Sequence, residues 1–409
     1  MDSFKRIRSK KHPPGLGQSN LRELTVLIAS DWAPIRAFDP VIRDNPEAVY
    51  GDMLPLLRSA DVRIVNCECA LTKSLKPVWK SGAVFKGEPH HIGGLTLVPF
   101  DIACLANNHV FDYGLPGFRE TLDVLRKNGI RSVGAGLSAE EARKPLTLSL
   151  NRTRISVVNF GEGEDLTAAS RGPGVRGWEI EKLVSQIRDL KEGGDFVIAI
   201  AHAGLEYIPF PPPYVSNAFR ALIDAGADCV VGHHPHVPQG IEIYKNRPIA
   251  YSLGNFVFFQ PTSLYYRKIG FCLTARIVGN ALSGFELHPY KITEEGIRRL
   301  EPGEERRFIK KISDISRPLS SSEGVRKAWL AYLSYYGIRG FRAEVQSILE
   351  KMESEPRKGA AMFRNRLTTL QHAELWRDAL TFIMAEKSPP APKSMFRVID
   401  EWFTKTVDD

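Results

Sequence analysis

The hydrophobic positions of this chain fall into short apolar runs, and each run ends on polar residues. Leu24–Ala29 stops at Ser30-Asp31, Val62–Asn66 at Cys67-Glu68, and Asp101–Ala106 at Asn107-Asn108-His109. Short apolar runs bounded by polar or turn residues predict buried strands. The pattern recurs at 196–201, which runs into His202, and at 229–231, which runs into Gly232-His233-His234-Pro235-His236. Further strands are predicted at 130–133, 146–150, 155–160, 241–244, 248–252 and 256–259. Helical spacing lies between them. Phe118, Leu122 and Leu125 mark a helix over 118–127 that closes at Asn128-Gly129. Ile180, Leu183, Val184, Ile187 and Leu190 mark another over 179–191 that closes at Gly193-Gly194, and a third is predicted over about 217–225. Strands that alternate with helices early and accumulate late predict an α/β sandwich with mixed sheets.

Near residue 300 the pattern changes. Pro302-Gly303-Glu304-Glu305 and 318–322 read as loop. Helical spacing then covers 324–336, 340–352 and 363–386, before the linker-like Ser388-Pro389-Pro390-Ala391-Pro392 and a short amphipathic end. The chain is thus expected to comprise a basic flexible tail (1–20), an α/β domain (21–300) and a helical C-terminal extension (301–409). Leu330, Leu333, Tyr336 and Phe341 need burial, so the extension is expected to lie as a layer on the main domain.

Composition narrows the class. The 409 residues are 43% hydrophobic and 25% charged, enough apolar surface for a large core. The net charge of +8 is concentrated partly in Lys5, Arg6, Arg8, Lys10 and Lys11. Such a tail suits a polyanion or an anionic membrane surface, although tails of this kind are commonly loose, solvated ends. Five cysteines without a CxxC pair argue against a disulfide framework and for a reducing compartment. Cys67 and Cys69 are expected to be buried apolar positions. No apolar run is long enough to span a bilayer or to act as a leader, so the expected location is cytoplasmic, peripheral to a membrane at most. No aromatic-and-basic cluster marks a nucleic-acid channel, and nucleic acid is not an expected partner.

The chemistry lies at the strand ends. In open α/β sheets ligands bind beyond the carboxyl ends of strands, so Asp31, Glu68, Asn108, His109, His202 and His233, His234 and His236 are expected on one rim. Carboxylate, amide oxygen and imidazole together suit Zn, Mn, Fe or Mg and disfavour metals that prefer thiolate. If the loop around Pro235 is extended, His234 and His236 project to the same side and both reach one site. His109 is a candidate proton donor to a leaving oxygen, and Asp112 and Glu206 are candidates to orient the histidines.

Several blocks in fixed order carry a resemblance: Asn66-Cys67-Glu68, Leu105–His109 with Asp112-Tyr113-Gly114, Ala201–Tyr207, Gly232–His236 and Tyr251–Phe256. Over about 24–260 the chain resembles the CapA, or poly-γ-glutamate capsule-synthesis, family, a branch of the calcineurin-like metallophosphoesterases. The resemblance implies two facing mixed sheets flanked by helices. It implies metal ligands Asp31, Glu68 (bridging), Asn108, His202, His234 and His236, and a catalytic histidine, His109. It implies one or two divalent transition-metal ions (Mn, Zn or Fe). It also implies an anionic polymer or phosphate-containing substrate, and capsule-assembly proteins as partners. A typical metallophosphoesterase opens its first motif with Asp-x-His; here it reads Asp31-Trp32-Ala33. The implied function is a metal-dependent hydrolase or transferase of capsule or exopolysaccharide synthesis. The alternatives are a non-enzymatic polymer-binding or assembly protein on the same fold, and a general phosphodiesterase.

Overall fold

A computed structural model describes residues 6–8, 22–385 and 392–408. In chain order the principal strands are β1 (Leu24–Trp32), β2 (Val62–Cys67), β3 (Ile102–Cys104), β4 (Arg131–Val133), β5 (Leu146–Leu150), β6 (Thr153–Gly161), β7 (Phe196–His202), β8 (Cys229–His233), β9 (Ile241–Tyr244), β10 (Arg247–Ala250), β11 (Ile269–Val278) and β12 (Ala281–Ile292). The longer helices are α1 (Gly114–Lys127), α2 (Ile180–Glu192), α3 (Pro213–Ala225), α4 (Pro302–Ser316), α5 (Ser322–Ser354), α6 (Pro356–Thr368), α7 (Leu370–Met384) and α8 (Lys393–Thr404).

In the first sheet β1 to β4 lie parallel in chain order, and the β11–β12 hairpin adds antiparallel on the other side of β1. The second sheet runs β9-β10-β8-β7-β6-β5, with β6, β7, β8 and β10 parallel. Alternation along β1 decides the layering, since successive side chains point to opposite faces. Val26 and Ile28 point between the sheets and pack with Ile64, Ile102, Val157, Ile198 and Val230. Leu27 and Ala29 point outward and pack with Phe38, Val49, Tyr50 and Leu57, which belong to short helices over 38–59. Helices α2 and α3 cover the far face of the second sheet through Leu183, Ile187, Phe219 and Leu222. This is the α/β sandwich of two mixed sheets flanked by helices that the sequence predicts. All five cysteines are buried and unpaired.

Five elements differ from the sequence reading. Residues 302–305, read as loop, form the first turn of α4, which Pro302 opens at a position where its missing N–H costs nothing. Residues 256–259 form no strand; Leu253, Gly254 and Asn255 make isolated bridges to Pro238, Gly270 and Asp31, and the chain then drops Phe256 and Phe258 into the core. The expected helix over 363–386 is split into α6 and α7 by Thr369, whose φ/ψ of −86°/138° is extended. No glycine or proline signals that break. The helices over 38–59 have too few periodic turns to stand out. Within the basic N-terminal segment, Arg6–Arg8 pair with the outer edge of β12; backbone pairing at a sheet edge leaves little mark on the sequence. The remainder of that tail, and Ser388 to Ala391 of the linker, lie outside the described residues.

The C-terminal helices share cores with the sheets. Val325, Ala328, Ala331, Ile399 and Trp402 belong to the same buried cluster as the strands of the two sheets and helix α3. A further core joins Trp329, Leu333, Ile348, Leu375 and Trp376 to Leu205 and Ile208, which lie in the loop after β7. Helix α5 bends at Gly337, whose φ of 48° favours glycine. Among the described residues no helix is long and apolar enough to cross a membrane.

Candidate metal centre

The parallel strands deliver their carboxyl-end residues to one rim. A register shift between Ile28 and Asp31 in β1 turns Asp31 inward. Glu68 follows β2, Asn108 follows β3, His202 ends β7, and His233 ends β8 with His234 and His236 beyond it. Gly232 lets β8 pass close to Tyr251; a Cβ there would collide with the Tyr251 carbonyl. The loop after β8 is not extended. His234 and His236 have φ of 98° and 55°, in the left-handed region, which costs on the order of 1–3 kcal/mol per residue. The two rings still lie 5.9 Å apart, centroid to centroid. Left-handed turns, not an extended strand, therefore bring both into the site.

Two donor sets share Glu68. Ligand atoms of Asp31, Glu68 and His236 lie within 4.8 Å of one another, and so do those of Glu68, His202 and His234. Glu68 Oε1 is 3.5 Å from both His202 Nε2 and His236 Nε2. His202 Nε2 is 3.1 Å from His234 Nδ1 and 2.9 Å from Asn108 Oδ1. All of these side chains are buried. Both Glu68 oxygens, Asp31 Oδ2 and His233 Nε2 have no hydrogen-bond partner. A buried carboxylate without donors is costly, and here it faces imidazoles in acceptor-capable positions. Burial, then the charge of Asp31, pushes the Glu68 carboxyl well above its ordinary value. Burial and the neighbouring histidines hold His202 well below its ordinary value. A divalent cation satisfies the orphaned Glu68 and Asp31 oxygens at once, so the donor set fits a metal centre of the borderline-hard class. His233 sits behind the set, 3.2 Å from Ser30 Oγ and 3.6 Å from Asp31. Ala33 is buried and offers no ligand. Glu206 forms a further donor group with His234 and His236.

Partners outside the ligand set fix the rings. Asn255 Oδ1 accepts from His236 Nδ1 at 2.9 Å, leaving Nε2 toward Glu68. Asn66 Nδ2 donates to Asp31 Oδ1 at 2.8 Å. Glu164 accepts from Asn108 Nδ2 at 2.9 Å and lies 3.5 Å from His234 Nε2. Gln371, in the first turn of α7, donates to the same carboxylate and reaches His234 Nε2 at 3.1 Å. Such groups set ligand orientation and tautomer. Asn66 and Asn255 lie in motifs quoted from the sequence. Glu164 carries no such signal, and Gln371 sits in helical sequence 207 residues from Glu164, so neither is legible in the sequence.

His109 is built differently. Its Nδ1 donates to Asp112 Oδ2 at 2.7 Å, and Lys80 Nζ donates to Asp112 Oδ1 at 2.8 Å and to the Asn108 carbonyl at 2.7 Å. Burial, then Lys80, lowers the His109 pKa. Its ring packs 4.2 Å from that of Phe85 and lines a cavity of about 550 Å³ over the centre. Asp112 thus orients His109, as expected; Lys80 is an addition that no motif signals. His91, by contrast, has both ring nitrogens engaged, with the Glu88 backbone N–H and with Asp39, and it caps a short 3₁₀ turn.

Residues 25–260, more than half of the chain, match the family described as bacterial capsule synthesis protein PGA_cap, and the chain belongs to that family. It is 34% identical over 219 residues to the PGA biosynthesis protein CapA of Bacillus subtilis, covering 52% of this chain and 57% of that one. It is 36% identical over 167 residues to the capsule biosynthesis protein CapA of Bacillus anthracis, covering 39% and 41%. It is 31% identical over 226 residues to a probable polyglutamine synthesis accessory protein of Mycobacterium tuberculosis, covering 51% and 59%. The chain thus spans between two fifths and three fifths of these relatives. Among solved structures, a phosphatase of Mycoplasma pneumoniae overlaps 66% of this chain and 94% of its own, at 15% identity and a TM-score of 0.43. A 5'-nucleotidase precursor of Thermus thermophilus overlaps 71% and 57%, at 14% identity and a TM-score of 0.43.

Proposed function

We propose that this protein is a metal-dependent hydrolase or transferase acting in the assembly of a capsular or poly-glutamate polymer. The observation that carries the reading is the orphaned, buried Glu68 carboxylate shared by two donor sets. Asp31, Glu68 and His236 would hold one ion, and Glu68, Asn108, His202 and His234 a second. Mn, Zn or Fe suits this mixture of carboxylate, amide and imidazole. A divalent ion held there supplies Lewis acidity to a phosphoryl or carbonyl oxygen and activates water. His109 stands beside the cavity with Nδ1–H fixed on Asp112, which leaves Nε2 free to take up a proton and, once protonated, to pass it to a leaving oxygen. Lys80 pairs with the other Asp112 oxygen at 2.8 Å and so fixes the carboxylate that holds the ring. The substrate class proposed from the relatives is an anionic polymer or a phosphate-containing precursor, with capsule-assembly proteins as partners.

A second reading, a polymer-binding assembly protein without turnover, is favoured by one observation: Ala33 replaces the histidine ligand of the first motif. One experiment separates the two. Metal content of the purified full chain is measured by inductively coupled plasma mass spectrometry, wild type beside His234→Ala, with hydrolysis of bis-p-nitrophenyl phosphate on the same samples. Bound transition metal that falls in the variant, together with turnover, supports the metallohydrolase. Metal that binds without turnover supports the assembly protein. Failure to bind Mn, Zn or Fe on reconstitution sinks the metal centre.

A further inference from the structure

The cavity over the metal centre has two walls. One comes from the sandwich; the other comes from α5, α6 and α7, which lie beyond residue 300 and outside the segment matched to the family. Polar atoms on these walls lack partners. Gln260 Oε1, Asn365 Oδ1, Gln371 Oε1 and His372 Nδ1 are buried and accept or donate no hydrogen bond, and all four residues line the cavity. Gln260, Asn365 and Gln371 are 7%, 4% and 1% exposed. A protein that buries polar groups without partners normally supplies them from elsewhere; several converging on one cavity indicate a bound molecule. Burial pushes the His372 pKa down to about 4, so its ring is neutral and offers one donor and one acceptor. Two guanidinium groups face the same space. Arg267 stacks on the Tyr207 ring at 3.6 Å, and Arg36, at the mouth, donates to the Phe259 carbonyl at 2.8 Å. Neither makes an ion pair with a carboxylate among the described residues.

We propose that the C-terminal helical layer completes a ligand pocket over the metal centre. In it, Gln260, Asn365, Gln371 and His372 hydrogen-bond the part of the ligand that projects away from the centre, while Arg36 and Arg267 take its negative charge. The ligand is an anionic molecule or chain end that carries hydroxyl or amide groups. A space of about 550 Å³ matches a small molecule or a few units of a chain. This deepens the proposed function by naming what the site reads, and rests on it only for the end of the ligand that meets the metal. The helical layer is then the specificity wall of the site.

The test is isothermal titration calorimetry on metal-free, full-length protein, so that it stands apart from the question of metal chemistry. The probes are a glutamate trimer joined by γ-amide bonds and glucose 1-phosphate. The variants are Asn365→Leu/His372→Phe and Arg267→Met. Asn365→Leu removes an unpaired buried amide at similar volume, a change that costs the fold little, and an unchanged melting temperature checks this. The expected result is binding of at least one probe to the wild type, weakened about tenfold or more in both variants. Binding of the trimer alone assigns an amide-linked acidic chain; binding of the sugar phosphate alone assigns a glycosyl phosphate. Binding of neither probe to the wild type, or equal binding by wild type and both variants, overturns the proposal.

Discussion

Glu164 holds the Asn108 amide with one carboxylate oxygen and lies between Gln371 and His234 with the other. Burial alone would raise its pKa, but His234, His372, Lys80 and the Asn108 hydrogen bond outweigh it and hold the carboxyl at about 2. A folded value below the unfolded 4.5 means that this group stabilises the protein above pH 4.5. That stability is lost as pH falls from 4.5 toward 2. Glu164→Gln removes the charge but keeps the shape. Metal affinity should fall about 10–100-fold, measured by competition with a chromophoric chelator, and the melting temperature of the variant should lose less than wild type on acidification from about pH 5 to about pH 3. His109→Ala isolates proton transfer from metal binding. If the protein turns over bis-p-nitrophenyl phosphate, kcat should drop on the order of 10²–10⁴-fold while metal content stays at the wild-type level; an equal loss of metal would remove His109 from its assigned role.

At the scale of elements, the loops after β6, β7 and β8 build the site and lock one another. Glu162, just after β6, accepts from the Gly204 amide and the Tyr214 hydroxyl. Burial raises its carboxyl to about 8. Here the folded value exceeds the unfolded 4.5, so the native state holds the extra proton. The stability contribution is full below pH 4.5 and is lost as pH rises to about 8. Glu162→Gln should therefore flatten the fall in melting temperature between about pH 5 and about pH 8; parallel profiles for wild type and variant would show that Glu162 is ionised throughout. The loop after β7 is pinned by Leu205 and Ile208 between α5 and α7. Ile208→Ala should cost about 2–5 kcal/mol in urea unfolding and loosen the position of Glu206. The strand ends that carry the donor side chains are legible because each apolar run stops at a ligand-type residue. The course of the loops is not. Left-handed backbone at His234 and His236 is imposed by their surroundings, and the bridges of Leu253–Asn255 replace a strand that the apolar pattern of 256–259 suggests.

For the whole molecule, the helical layer and the sandwich share a buried core: Trp402 and Ala328 belong to the same hydrophobic cluster as the strands of the sandwich. Removing residues 301–409 would expose that core as well as one wall of the cavity. A chain ending at Leu300 is expected to aggregate or to lose its cooperative thermal transition, as read by calorimetry and limited proteolysis; a monomeric, cooperatively folded fragment would show that the layer is dispensable to the fold. The apolar runs and their polar stops determined the two sheets, the rim on which the donor side chains gather and the family, because alternating burial and strand-end chemistry are local properties of the chain. Only the tertiary structure decided that Glu68 is shared between two donor sets, that Glu164 and Lys80 organise Asn108 and His109, and that Gln371 reaches His234. Those relations join residues far apart in sequence, and a distance between such residues exists only once the chain has packed.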